Sequence, residues 1–300
     1  MITYRTVQRF GNPQGHSKMR LDFRAVTAFA FTHVFMRACS ALASVGSTTQ
    51  RAFLSFSKPS VLTPILVSIE GNIGAGKTTL LKKLRANHPD WTFIDEPVDT
   101  WSQIKNEKGE SMLEVFYKDR NRWSYTFQNC ALLTRHQNIE SAVSKAREGG
   151  SVGRKIFLTE RCLDTDYHVF TKMLKEEGSI DKLELDLYIR WLNQLKTVAT
   201  PLSAIVHVNT VPNVCAQRIR QRSRGGEDAI SMEYLENLSA HQSKWVDSTT
   251  IPVFRTDLSH VRAVEDFIQG LTLPTAEPVA LVDNGCLNGE STQWRKRGGI

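Results

Sequence analysis

The first 60 residues contain one acidic side chain, Asp22, against eight basic ones, Arg5, Arg9, Lys18, Arg20, Arg24, Arg37, Arg51 and Lys58. This near absence of acid accounts for the whole formal charge of +7, because the other 240 residues hold 30 basic and 30 acidic side chains. The body of the chain therefore has no charge excess with which to attract nucleic acid, and no nucleic-acid partner is expected. No C-x-x-C pair occurs among the five cysteines (Cys39, Cys130, Cys162, Cys215, Cys286), and none stands at metal-ligand spacing from the eight histidines. The cysteines therefore read as reduced, ordinary residues in a thiol-rich compartment, and no zinc-ribbon type of site is expected. The apolar run Ala25 to Met36 has 12 residues and is broken by Thr27, Thr32 and His33, too short to span a bilayer, so no membrane partner is expected. Internal repeats are absent.

The leader is basic, nearly free of acid and rich in Ser, Thr and Ala, which is the composition of an organelle transit peptide. Mitochondrial localisation follows from that reading; the alternative is a cytoplasmic protein carrying a disordered basic leader. From Thr275 the periodic patterns stop, and Asn284-Gly285, Asn288-Gly289 and Gly298-Gly299 mark a flexible tail. The expected organisation is a leader over residues 1–60, one domain over 61–273 and a tail over 274–300.

The strongest motif in that domain is Gly71-Asn72-Ile73-Gly74-Ala75-Gly76-Lys77-Thr78, followed by Thr79. It matches G-x-x-x-x-G-K-[ST], and it lies between a β-branched apolar run, Pro64 to Glu70, and a helical pattern, Thr79 to Leu84. Glycines let backbone N–H groups surround phosphates, and the helix N-terminus adds partial positive charge. Lys77 can reach the β- and γ-phosphates and Thr78 offers a hydroxyl to Mg²⁺. This chain is expected to bind a nucleoside triphosphate.

Short apolar segments alternate with longer helical ones. Strands are predicted at 65–70, 91–95, 155–159, 204–209 and 252–255, and helices include 122–146 and 164–175. This alternation predicts a P-loop NTPase-type α/β fold, a parallel five-stranded sheet with helices on both faces. Ligands of such sheets bind beyond the carboxyl ends of the strands. Three predicted strands end there in chemistry: the phosphate loop, Glu96-Pro97, and Glu160-Arg161. Glu96 is placed to act as a general base toward an attacking hydroxyl. Glu160 can enter the Mg²⁺ shell, and Arg161 can hold Glu96 or the attacking oxygen. Arg218, Arg220, Arg222 and Arg224, followed by Gly225-Gly226-Glu227, read as a mobile cationic lid.

Taken together these residues resemble the deoxynucleoside kinase family. The matching segments are Gly71–Thr79, Glu96-Pro97-Val98 with Trp101, Leu113–Tyr117, Arg122–Gln128, Thr159-Glu160-Arg161, Arg218–Glu227 and Met232–Leu235, in the family's order across 61–273. The resemblance implies transfer of the ATP γ-phosphate to the 5′-hydroxyl of a 2′-deoxynucleoside in nucleotide salvage, with Mg²⁺, by a homodimer. It implies that Glu96 is the base, braced by Arg161, with Lys77 on the phosphates and Glu160 and Thr78 at the metal. Tyr117 and Glu227 would hold the 3′-hydroxyl, Trp101, Phe127 and Phe170 would pack on the base, and Gln128 would bond its edge. Arg218, Arg222 and Arg224 would contact phosphate. Arg135 and Asp166 fall where a thymine methyl would sit, so purines or deoxycytidine are expected to exceed thymidine. Cys162 stands where family members usually carry Ser, which leaves fine specificity open. A multisubstrate or thymidine-preferring kinase remains an alternative. So does a nucleoside-monophosphate kinase, although that would need positive groups where this chain has Glu96. A GTP-binding switch would need an Asn/Thr-Lys-x-Asp element, which is absent.

Overall fold

A computed structural model describes residues 61–272 and residue 282. The leader and all of the C-terminal tail except residue 282 lie outside the described residues. Five strands, β1 (Leu62–Gly71), β2 (Thr92–Ile94), β3 (Gly153–Glu160), β4 (Leu202–Val208) and β5 (Val253–Thr256), form one sheet in the order β2-β3-β1-β4-β5. Every strand pair is parallel. The helices are α1 (Lys77–Asn87), α2 (Val98–Gln103), α3 (Met112–Lys118), α4 (Arg120–Glu148), α5 (Leu163–Thr165), α6 (Lys172–Glu176), α7 (Lys182–Lys196), α8 (Pro212–Arg222), α9 (Met232–Ser248) and α10 (Val261–Gly270). A π-helical turn, Asp166–Thr171, joins α5 to α6.

Alternation along β1 divides the core. Ile65, Val67 and Ile69 pack with Leu80, Leu81 and Leu84 of α1 and Val264 and Ile268 of α10. Leu62 and Leu66 face the other way, onto Ile139 and Val143 of α4. Each fully buried aliphatic side chain contributes about 1.5–3 kcal/mol, so a sheet apolar on both faces is stable only when helices cover both.

The register sets the site. Ile69 pairs with Glu160 and Ile94 with Thr159, so the chain leaves β1, β2 and β3 at one edge, side by side. Three expectations need correction. The strand predicted at 91–95 is only Thr92–Ile94, because Trp91 instead stacks on His88 at 3.9 Å. Pro97, read as a strand stop, also caps a helix, α2. The helix predicted at 164–175 is interrupted by the π turn.

Candidate active site

The phosphate loop begins where β1 ends. Gly76 caps α1 with φ +103°, and no side chain bonds the first turn's N–H groups, which leaves them free for an anion. At Gly74 (φ +77°) a Cβ would lie 2.6 Å from the Cys215 carbonyl oxygen, so the loop needs glycine there. Asn72 fastens the loop to α9 by donating to the Leu235 carbonyl at 2.8 Å. Thr210 and Arg218 both donate to the Ala75 carbonyl, at 3.0 and 2.8 Å. Lys77 donates to the Asn72 carbonyl at 2.9 Å and lies 3.6 Å from Glu160. The Thr78 hydroxyl donates to the other Glu160 oxygen at 2.8 Å. Burial, with Arg161 adding to it, pushes the Lys77 ammonium down to about 8.

Two buried arginines form the other wall. Arg135, from α4, donates to Asp166 at 2.9 Å and to the Glu160 carbonyl at 2.7 Å, and lies 3.4 Å from Glu96. Arg161 follows β3 with φ +69°, a left-handed conformation that costs an L-residue about 1–2 kcal/mol. Its Nε lies 3.2 Å from Glu96, and its guanidinium covers the Phe170 ring at 4.8 Å. Burial opposes ionisation of Glu96, but Arg161, Arg135 and Lys77 outweigh it and hold the carboxyl below its usual range.

Between the phosphate loop and these arginines lies a cavity of about 240 Å³. Lys77, Thr78, Glu96, Trp101, Tyr117, Phe127, Gln128, Arg135, Glu160, Arg161, Asp166, Phe170, Arg222, Arg224 and Glu227 line it, together with Ile73 and Gly74. Of the expected site residues, Gly71, Asn72, Ala75, Gly76, Thr79 and Arg218 do not line it. Thr79 is exposed on α1, and Arg218 sits behind the loop on its carbonyls. Trp101 meets Phe127 edge-on at 5.2 Å, and Phe127 stacks on Phe116 at 4.5 Å. Arg222 forks onto Glu227 at 2.7 and 2.6 Å, with Arg224 3.4 Å away. Burial, with Tyr234 and Glu227 nearby, raises the Tyr117 phenol well above its usual value, so it stays protonated. Three buried lining atoms have no hydrogen-bond partner: Gln128 Oε1, Arg161 Nη1 and the Tyr234 hydroxyl. These are the marks of a cleft made for a polar ligand with an apolar ring.

Phe116, Tyr234 and Glu70 were not singled out from sequence. Phe116 and Tyr234 stand inside the family-like segments already noted, and Glu70 was visible as an acid within an apolar strand run.

The deoxynucleoside kinase family matches residues 67–270. The chain belongs to that family. It is 31% identical over 215 residues to "Deoxycytidine kinase 2" of Gallus gallus, covering 66% of this chain and 78% of the relative. Human "Deoxycytidine kinase" is 29% identical over 232 residues, 72% of this chain and 87% of the relative. "Deoxyguanosine kinase, mitochondrial" of Xenopus laevis is 28% identical over 212 residues, 65% and 78% respectively. The protein is thus a nucleoside kinase with ATP as phosphate donor.

The lowered Lys77 sets a pH dependence. Phosphates held at Lys77 would favour the ammonium form, so ATP binding there should raise its pKa above about 8 and take up a proton. Affinity for ATP should weaken as pH rises through that value. Calorimetry at about pH 8.5 in two buffers of different ionisation enthalpy should report proton uptake on binding. Equal heats in both buffers would mean that Lys77 is already fully charged in the free enzyme.

Proposed function

We propose that this kinase phosphorylates the 5′-hydroxyl of a 2′-deoxynucleoside in nucleotide salvage, with deoxyadenosine, deoxyguanosine or deoxycytidine preferred over thymidine. The observation that carries the reading is Glu96, a carboxylate held between Arg161 and Arg135 and facing the cavity across from Lys77. Glu96 takes the proton of the 5′-hydroxyl, whose oxygen forms the new bond to the γ-phosphorus as the bond to the ADP oxygen breaks. Lys77 and the N–H groups of the loop bind the phosphates. The Thr78 hydroxyl and the Glu160 carboxylate are hard oxygen donors that fit Mg²⁺, which would neutralise phosphate charge there. Tyr117 and Glu227 would hold the 3′-hydroxyl, with Arg222 and Arg224 turning from Glu227 to phosphate. A nucleoside-monophosphate kinase is disfavoured, since an acceptor phosphate would meet the Glu96 charge.

The base preference rests on the buried Arg135–Asp166 pair. A thymine methyl placed against it forfeits about 0.8 kcal/mol of transfer energy, about fourfold, before any steric overlap. The names of the relatives quoted above agree with cytosine or guanine substrates. A kinase assay over the four deoxynucleosides and TMP tests the whole reading. Glu96→Ala should cut kcat by about 10²–10⁴-fold with ATP binding intact. Arg135→Met with Asp166→Ala should raise the relative use of thymidine. TMP or thymidine as the best wild-type substrate would overturn the corresponding part.

A homodimer is supported by an apolar stripe on α7, where Leu183, Leu187 and Trp191 are exposed four residues apart; Leu133 is also exposed on α4, whose Leu132 packs with Tyr188, Ile189 and Leu192 of α7. Light scattering should give twice the chain mass, and Trp191→Asp should halve it; a monomeric wild type would refute the dimer. For the leader, mitochondrial import is supported by its composition and by the mitochondrial relative. A fluorescent fusion of residues 1–60 should enter mitochondria, and diffuse cytosolic signal would favour the cytoplasmic alternative.

A further inference from the structure

Glu70 is the last residue of β1 before the phosphate-loop glycine, and it is fully buried. An isolated carboxylate has no reason to be there, because leaving water costs far more than one neutral hydrogen bond returns. Its surroundings are polar and directional. Oε1 accepts hydrogen bonds from the hydroxyls of Ser68 and Thr165. Oε2 accepts one from the Gln242 side chain of α9 at 3.4 Å and faces Arg161 Nη1 at 4.0 Å. That nitrogen is the buried Arg161 donor with no hydrogen-bond partner. The guanidinium thus lies between two carboxylates, Glu96 on the cavity side and Glu70 on the core side.

Glu96 cannot hold Arg161 by charge throughout a turnover. Once it has taken the proton of the acceptor hydroxyl it is neutral, and the guanidinium loses its cavity-side counter-charge. The core-side carboxylate does not touch substrate and keeps its place, fixed by Ser68, Thr165 and Gln242. The backbone prepares the same alignment, since Arg161 N–H donates to the Ile69 carbonyl at 3.2 Å and the Thr159 hydroxyl donates to the Arg161 carbonyl at 2.9 Å. We propose that Glu70 is a positioning residue for Arg161, holding its guanidinium at the cavity wall while the charge on Glu96 changes. The inference rests on the roles given above to Glu96 and Arg161.

The test is a double-mutant comparison on the full-length enzyme, with kcat and both KM values measured for Glu70→Gln, Arg161→Ala and the pair. Glu70→Gln should lower kcat about 10–100-fold, the size of effect that misplacing a catalytic group produces. The KM values for ATP and deoxynucleoside should stay within about threefold, since no binding contact is removed. The double variant should be no slower than Arg161→Ala alone, because Glu70 has nothing left to position. An unchanged kcat in Glu70→Gln, or two losses that multiply, overturns the proposal. Wild-type kcat in Arg161→Ala alone would refute the role of Arg161 and the inference with it, and that failure is visible in the single variant. If Glu70→Gln does not fold, Gln242→Met removes the donor that aims Oε2 and leaves the Glu70 side chain itself intact. It should cost about 3–10-fold in kcat on the wild-type background and nothing on the Arg161→Ala background. A loss on both backgrounds overturns the proposal.

Discussion

Arg135 and Arg161 are each 2% exposed, and a guanidinium does not shed its proton inside a protein. Two permanent positive charges in the core must therefore be matched where they lie, and the surrounding chain is arranged to do it. Asp166 and the Glu160 carbonyl answer Arg135, Glu70 answers Arg161, and Glu96 lies within reach of both. Removing one partner from such a buried pair typically costs about 3–5 kcal/mol, so this cluster is part of the fold's stability as well as of the site. The cavity carboxylate sits beside Arg161, Arg135 and Lys77, whose charges hold it below its usual range despite its recessed position.

The parallel sheet makes that cluster possible. Arg135 comes from α4, Glu96 from the end of β2, Arg161 from the end of β3 and Glu70 from the end of β1. These are far apart in sequence, and they meet because Ile69, Glu160 and the residues around Ile94 end in register at one edge. The phosphate loop emerges at the same edge. The phosphate loop, Glu96 and Arg161 are therefore brought to one place by strand register.

Much of this could be read from residues alone. The phosphate loop carries its own spacing and context, and the acids and arginine after β2 and β3 could be placed because strand ends are marked by Pro97 and by the end of the apolar runs. Other features leave no local trace. Glu70 looks like any acid at a strand end, because a period of two does not reveal that helices bury both faces at that point. A π turn differs from an α-helix in which carbonyl each N–H meets, and composition does not encode that choice. Pro97 was legible as a break but equally suits a helix start, and only the packing of Trp101 against Phe127 decides for α2. The pairing of Arg222 with Glu227 was also hidden, since the same arginines suit a phosphate equally well.

The π turn at Asp166–Thr171 has a further consequence, in terms of chain length. Its wider i→i+5 hydrogen bonding accommodates one more residue than an α-helical path between α5 and α6 would hold. Deleting a single residue there would let an ordinary helix close over the same path, so α5 and α6 would keep their places and only the residues within the turn would change facing. The turn thus sets how Asp166, on Arg135, and Phe170, under the Arg161 guanidinium, face relative to each other.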